Sequence, residues 1–419
     1  MALKNILKLV TGAALKRRSW QDICHDLLRL RDEATVLRLA AELLQRYDEF
    51  EEAERLAFFN YLLLEFRVDQ PSLNAAIDDF REDPSPLNVQ AINRASLPSR
   101  RNLFEILNMC PGGTEHLLKM RVALSRFTKD ESELLAVDGD LEILFRNWFN
   151  RGFLTLQRID WRTPAFVLEK LIAYEAVHEI TGWDDLQRRV SSGRRCYAFF
   201  HPALPNEPII FVQVALVKGL VSNVSEIIGD SPEHIDEEAA DTAIFYSISN
   251  CQRGLVGIAF GDLLIKQVAE QISADCPQIK TFATLSPIPG FTKWLNQSVD
   301  NMDPDDRALV ERCLAEPQQV LNADTEQQVT LSRLCAHYLI NEKRDEAPAD
   351  PVARFHLRNG ARLERINWLG DPSSKGLQES LGLLVNYVYD LSAVTKNHET
   401  YVYESGVVAS NGVKQLAKP

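Results

Sequence analysis

One serine of this chain stands in an unusual corner. In TFATLSPIPGFTKWL, residues 281–295, apolar Phe282 and Leu285 lead to Ser286, and Pro287, Pro289 and Gly290 follow at once. Proline pushes the residue before it toward extended backbone, and glycine permits a turn that other residues resist. Such a corner can hold one hydroxyl as a fixed hydrogen-bond donor, which counts for most where water is excluded. The flanking residues are not a GxSxG elbow, so nucleophilic attack has no motif behind it. The plainer alternative is a serine at a structural turn.

A second candidate is His356, in PVARFHLRNGARLERINWLGD. Arg354, Arg358, Arg362 and Arg365 surround it in sequence, and like charges disfavour protonation of an imidazole. A neutral ring can deliver a proton or donate a hydrogen bond. The alternative is a hydrogen-bonded histidine in a strand, with Asn359 and Gly360 turning the chain just after it. The other histidines are His25, His116, His178, His201, His234, His337 and His398, and no two have HExxH spacing. No metal-binding constellation is present in the sequence.

The third candidate is a loop. SNCQRGLVGIAFG, residues 249–261, follows an expected strand and precedes an expected helix, with glycines at 254, 257 and 261. Exposed backbone N–H groups before a helix N-terminus attract phosphate. The stretch is neither a Walker A loop nor GxGxxG, and a glycine-rich strand-to-helix turn is the alternative. Arg194, Arg195 and Lys293 could add basic character.

The elements that must position these groups fall into two textures. Residues 15–147 read helical: RDEATVLRLAAELLQRYDEFEEAERLAFFNYLLLEF has no Pro or Gly and repeats its apolar residues at three and four. A break follows at REDPSPLN, and Thr114 is a candidate N-cap after a Pro-Gly-Gly turn. After Asn150, β-rich runs alternate with helices: RCYAFF, IIFVQVALV, TAIFYSI and KTFATLS. TPAFVLEKLIAYEAVHEI, residues 163–180, reads as a helix starting at Thr163 and Pro164. NADTEQQVTLSRLCAHYLI and LQESLGLLVNYVYDL also read as helices, and SNGVKQLAKP as a frayed tail.

Composition limits the function. The chain has 419 residues, enough for two or three domains, and a net charge of -13, which argues against broad contact with nucleic acid. Seven scattered cysteines without a CxxC pair fit a reducing compartment. The first twenty residues are mildly basic and amphipathic. They lack the core of a secretion signal, and a transit peptide is the alternative to no signal. No stretch reaches 18 apolar residues, so no membrane span is expected. The expectation is a cytoplasmic protein.

Taken together, WFNRGFLTLQRIDWRTP, YEAVHEITGWDDLQRRV, RRCYAFFHPALPNEPIIFVQVAL, FYSISNCQRGLVG, TLSPIPGFTKWL and ARFHLRNGARLERINWLGDPSSKG resemble the malonyl-CoA decarboxylase family. They occur in the same order and, with LGLLVNYVYDL, cover most of residues 142–391. The resemblance implies an α+β, two-domain protein. A helical oligomerisation bundle would span residues 1–145, and an α/β catalytic domain of the GNAT (N-acetyltransferase-like) fold residues 146–419. It implies conversion of malonyl-CoA to acetyl-CoA and carbon dioxide without a further cofactor, by a homo-tetramer arranged as a dimer of dimers. The family serine corresponds to Ser286 and the family histidine to His356. CoA would lie with its pyrophosphate over Gln252, Arg253, Gly254 and Gly257. Its pantetheine would pass Tyr246 and Asn250 between splayed strands, and Ile288, Pro289 and Gly290 complete the implied binding set.

Two departures stand out. Leu255 occupies the place of the superfamily's middle loop glycine, and Ala259 that of a glutamate the family often has. A non-catalytic malonyl-CoA-binding regulator and a CoA-dependent acyltransferase are the alternatives.

Overall fold

A computed structural model of the protein describes residues 18–229, 237–258 and 261–418. The chain divides into two compact units. One comprises residues up to 154 with 201–205 and 252–258, and the other residues 155–200, 206–251 and 259–419.

The first unit is helical. The uninterrupted Pro-free run breaks into two helices, Glu33–Asp48 and Glu52–Glu65. No proline or glycine stops it. Glu51 does so by capping the second helix, its carboxylate reciprocated by Glu54. Helices Gln70–Glu82 and Pro86–Ala95 flank the expected break, where Ser85 caps and Pro86 opens the second. Thr114 does not cap its helix. Gly112 does, at φ 75°, and the Thr114 hydroxyl donates to Asn108 Oδ1 at 2.7 Å. Fully buried Phe58, Phe59, Phe104 and Phe145 form the centre of this unit. Each such side chain contributes about 1.5–3 kcal/mol.

The second unit is built on a seven-stranded sheet in the order β1-β2-β3-β4-β5-β9-β8. The strands are β1 (Thr155–Ile159), β2 (Arg194–His201), β3 (Leu204–Val217), β4 (Thr242–Asn250), β5 (Thr281–Thr284), β8 (Arg362–Asn367) and β9 (Leu384–Tyr389). A short hairpin, β6 (Lys343–Arg344) with β7 (Ala347–Pro348), stands apart. β2, β3 and β4 are buried along most of their length, which is why their sequences read as continuous apolar runs. One cluster of buried side chains includes Val167, Leu171, Ala198 and Phe211, and a second includes Ala215, Ile244, Ala283 and Leu384.

Three expectations are corrected. The helix after Thr163 starts at Ala165 and ends at Tyr174, so Glu175 to Ile180 form a loop. LQESLGLLVNYVYDL is a short helix, Ser374–Ser380, followed by β9. Leu381 at φ 51° and Gly382 at φ 78° end the helix, and Val385, Tyr387 and Tyr389 suit a strand. The tail is not frayed: Asn411–Leu416 is a helix capped by Ser410, with Val413 buried.

One feature of the sheet creates the site. β4 and β5 are parallel, paired from Thr242 with Thr281 to Phe245 with Thr284. Beyond that point Pro287 has no N–H, and Ser286 forms a bridge with Val385 of β9, N to O at 2.8 Å and 2.9 Å. β4 runs on to Asn250, paired with β3 on its other side. The two parallel strands therefore part.

Candidate active site

A cavity of roughly 300 Å³ opens where β4 and β5 separate. Phe245, Tyr246, Ser247, Ile248 and Asn250 line it from β4, and Leu285, Ser286 and Pro287 from the corner. Pro351, Val352, Phe355 and His356 face it from the helix Pro351–Arg358. His356 is thus on a helix, not in a strand. Asp350 caps that helix and Pro351 opens it, the arrangement that favours a helical start.

Ser286 and His356 meet here. Their side chains are 70 residues apart in sequence, yet Oγ and Nε2 lie 3.0 Å apart. Both residues are buried, at 5% and 3% exposure. Ser286 Oγ donates to Thr284 Oγ1 at 2.8 Å, and Thr284 Oγ1 also accepts from Tyr387 N at 3.2 Å. With the serine's one hydrogen committed to Thr284, the contact with Nε2 is made by the ring's own N–H. Nδ1 then accepts from Tyr389 Oη at 2.8 Å. Tyr387 stacks on the ring with centroids 4.7 Å apart, and Phe355 meets it edge-on at 5.0 Å.

Burial drives the His356 pKa down to about 3. The ring is neutral, as expected, but the cause differs. Desolvation does it, and the flanking arginines play no part. Gly290 likewise serves by its size. Its φ is -93°, which any residue adopts, but a methyl group there would overlap Tyr338 Oη.

Tyr246 and Asn250 line the cavity, although Tyr246 turns its hydroxyl to Gln213 Oε1 at 3.0 Å. Ser247 is held from behind by Glu175, whose carboxylate accepts from its hydroxyl at 2.7 Å and from Val177 N and His178 N at 2.8 Å and 3.0 Å. Ile288, Pro289 and Gly290 belong to the Ser286 turn but do not line the cavity. Gln252, Arg253, Gly254 and Gly257 group with the helical unit. There Arg121 donates to the carbonyls of Gly254 and Val256 at 2.9 Å and 3.0 Å while its Nε donates to Asp138. Gly257 has φ 87°, and a Cβ on Gly254 would strike the Leu118 carbonyl.

Arg194 and Arg195 do not supply a basic patch. The first donates to the Ile227 carbonyl and the second is paired with Glu237. Burial raises the Cys251 thiol well above its ordinary value, so it is a packing residue. Ala259 lies outside the described residues. Among the described residues, no three His, Cys, Asp or Glu side chains gather to hold a metal ion, and no helix is long and apolar enough to cross a membrane.

Thr284 and Tyr389 escaped the sequence reading. Thr284 had a signal, since residues two apart share one face of a strand. Tyr389 had none, because its segment read as helix.

A neutral imidazole, held between a serine and a tyrosine in a mostly apolar cavity of an α/β unit, is an arrangement able to hold and deliver a proton. The C-terminal domain model of malonyl-CoA decarboxylase matches residues 152–419, and the N-terminal domain model matches residues 66–149. Mitochondrial malonyl-CoA decarboxylase of Anser anser anser is 38% identical over 346 residues, 75% of this chain and 69% of that protein. The Rattus norvegicus protein of the same name is 34% identical over 404 residues, 87% of this chain and 82% of that one. The crystal structure of malonyl-CoA decarboxylase from Rhodopseudomonas palustris superposes with a TM-score of 0.90 at 45% identity, covering 94% of this chain and 98% of that one. That from Cupriavidus metallidurans gives 0.74 at 36%, covering 95% and 98%. The chain belongs to the malonyl-CoA decarboxylase family.

The expectation of a cytoplasmic location is overturned by these matches. The goose, mouse and rat relatives are all mitochondrial by name. Unpaired thiols report a reducing milieu, not an address.

Proposed function

We propose that this chain decarboxylates malonyl-CoA to acetyl-CoA and carbon dioxide at the cavity shared by Ser286 and His356. The observation that carries the reading is the 3.0 Å contact between the buried serine and a neutral imidazole at the parting of β4 and β5. The bond between the α-carbon and the carboxylate carbon breaks. Its electron pair moves into the thioester to form an enolate, and carbon dioxide leaves. The enolate then takes one proton at the α-carbon. Ser286 Oγ donates to the substrate carboxylate or thioester oxygen in place of Thr284, stabilising charge as it develops. His356 polarises the serine and passes its Nε2 proton to the α-carbon, Tyr389 replaces that proton at Nδ1, and solvent reprotonates the tyrosine, so one proton is taken up per turnover. The apolar lining favours loss of a carboxylate as neutral gas.

CoA occupies the strand gap with its pantetheine along Tyr246 and Asn250 and its pyrophosphate over residues 252–258. Arg121 supports this by turning the carbonyls of Gly254 and Val256 toward itself. The parallel pair β4 with β5, which splays, supports a GNAT-like catalytic domain over residues 146–419. The helical domain, residues 1–145, joins the chains as a homo-tetramer, which equilibrium sedimentation tests. The overall acidity supports a protein that leaves nucleic acid alone.

The test of the chemistry is carbon dioxide release from malonyl-CoA by wild type, Ser286→Ala and His356→Ala. Each folded variant is expected to lose at least about 100-fold in kcat. Full activity in either would remove that residue from the mechanism. Transfer of the acyl group to an added amine without gas release would favour the acyltransferase alternative.

A further inference from the structure

Asp350 is 1% exposed and lies outside the cavity lining, yet its carboxylate touches both elements that carry the site. Oδ1 accepts from Val352 N at 2.9 Å and Ala353 N at 3.0 Å, capping the helix that bears His356. Oδ2 accepts from Gly290 N at 3.1 Å, at the end of the turn that begins with Ser286. Tyr338 Oη occupies the space a Gly290 side chain would need, with Asp350 Oδ2 next to it. An ordinary helix cap requires only the first two contacts. The third joins two segments 60 residues apart in sequence.

We infer that Asp350 is a positioning residue that sets the separation of Ser286 and His356 by tying the serine turn to the N-terminus of the histidine helix. The inference rests on the proposed roles of those two residues. At the other end of the turn, Ser286 is pinned to β9 through Val385. With Gly290 also tied, the serine corner is held at both ends, one of them to the helix that carries its partner. A shift of about 1 Å at a reacting pair costs on the order of 100-fold in rate. The tie therefore acts on turnover more than on substrate affinity.

The test compares Asp350→Ser with Asp350→Asn. Serine is a good helix cap but too short to reach Gly290 as well, so the helix is kept and the tie is lost. Asparagine has the length of aspartate but one acceptor oxygen, which turned to Gly290 N keeps the tie and gives up the cap. We expect Asp350→Ser to stay folded with a lower melting temperature, because Gly290 N loses its acceptor, and to show kcat down about 100-fold with KM within about threefold. Asp350→Asn should recover at least about tenfold of that loss. A wild-type kcat in the serine variant overturns the inference. So does a loss that tracks KM or thermal stability equally in both variants, which is the mark of a cap alone. Ser286→Ala and His356→Ala are run alongside. If they retain turnover, the reading of the site itself has failed, whatever Asp350 does.

Discussion

Lowering the pH should weaken this fold through one histidine, by an amount the structure sets. His356 has an ordinary value of 6.5 when unfolded and about 3 when folded, because burial penalises its charged form. A folded value below the unfolded one means the unfolded state binds the extra proton. The contribution to stability is whole above pH 6.5 and is lost as pH falls toward 3. At pH 5 the unfolded ring is almost fully protonated and the folded ring almost fully neutral. The linkage then gives a loss of about 2 kcal/mol relative to pH 7, with a ceiling of about 5 kcal/mol below pH 3. The assay is urea unfolding at pH 7 and pH 5 for wild type and His356→Gln, which cannot titrate. Burial also lowers His178 and His201, but both remain in each protein and cancel in the difference. Wild type should lose about 2 kcal/mol more than the variant. Equal losses would refute a buried neutral His356. In the same interval the rate of wild type should show no inflection near pH 6.5 from this ring.

Three further outcomes are expected. Gly290→Ala drives a methyl group into Tyr338 Oη and toward Asp350 Oδ2, so stability should fall by about 1–3 kcal/mol. An unchanged melting temperature would contradict the steric reading. Tyr389→Phe removes the donor to His356 Nδ1 and leaves a buried acceptor unpaired, at about 1–3 kcal/mol, with kcat down at least roughly tenfold. Unchanged turnover would exclude the tyrosine from the proton path. Arg121→Leu frees two loop carbonyls and strands Asp138, so the helical unit should lose about 3 kcal/mol. KM for malonyl-CoA should rise as residues 252–258 loosen, and an unchanged KM would argue against pyrophosphate binding there.

What the linear chain announced and what it hid have different physical origins. The corner at Ser286 was legible because proline acts locally, restricting its neighbours whatever lies around them. The Thr325–Asn341 helix was legible for the same kind of reason: Asp324 and Gln327 form a capping box three residues apart. β3 and β4 announced themselves because strands buried on both faces are apolar throughout. The β9 segment misled because Leu377, Leu381 and Leu384 recur at four and three as in a helix, and the left-handed pair Leu381–Gly382 decided against it.

The sequence alone therefore determined the local parts: the rigid serine turn, the two textures of the chain and the order of its motifs. Only the tertiary structure decided the chemistry. Burial, not neighbouring arginines, neutralised His356, because desolvation depends on every atom packed around the ring. The missing N–H of Pro287 was visible from the start. That it would part β4 from β5 and open a cavity depended on Val385, 99 residues further on, being there to receive Ser286.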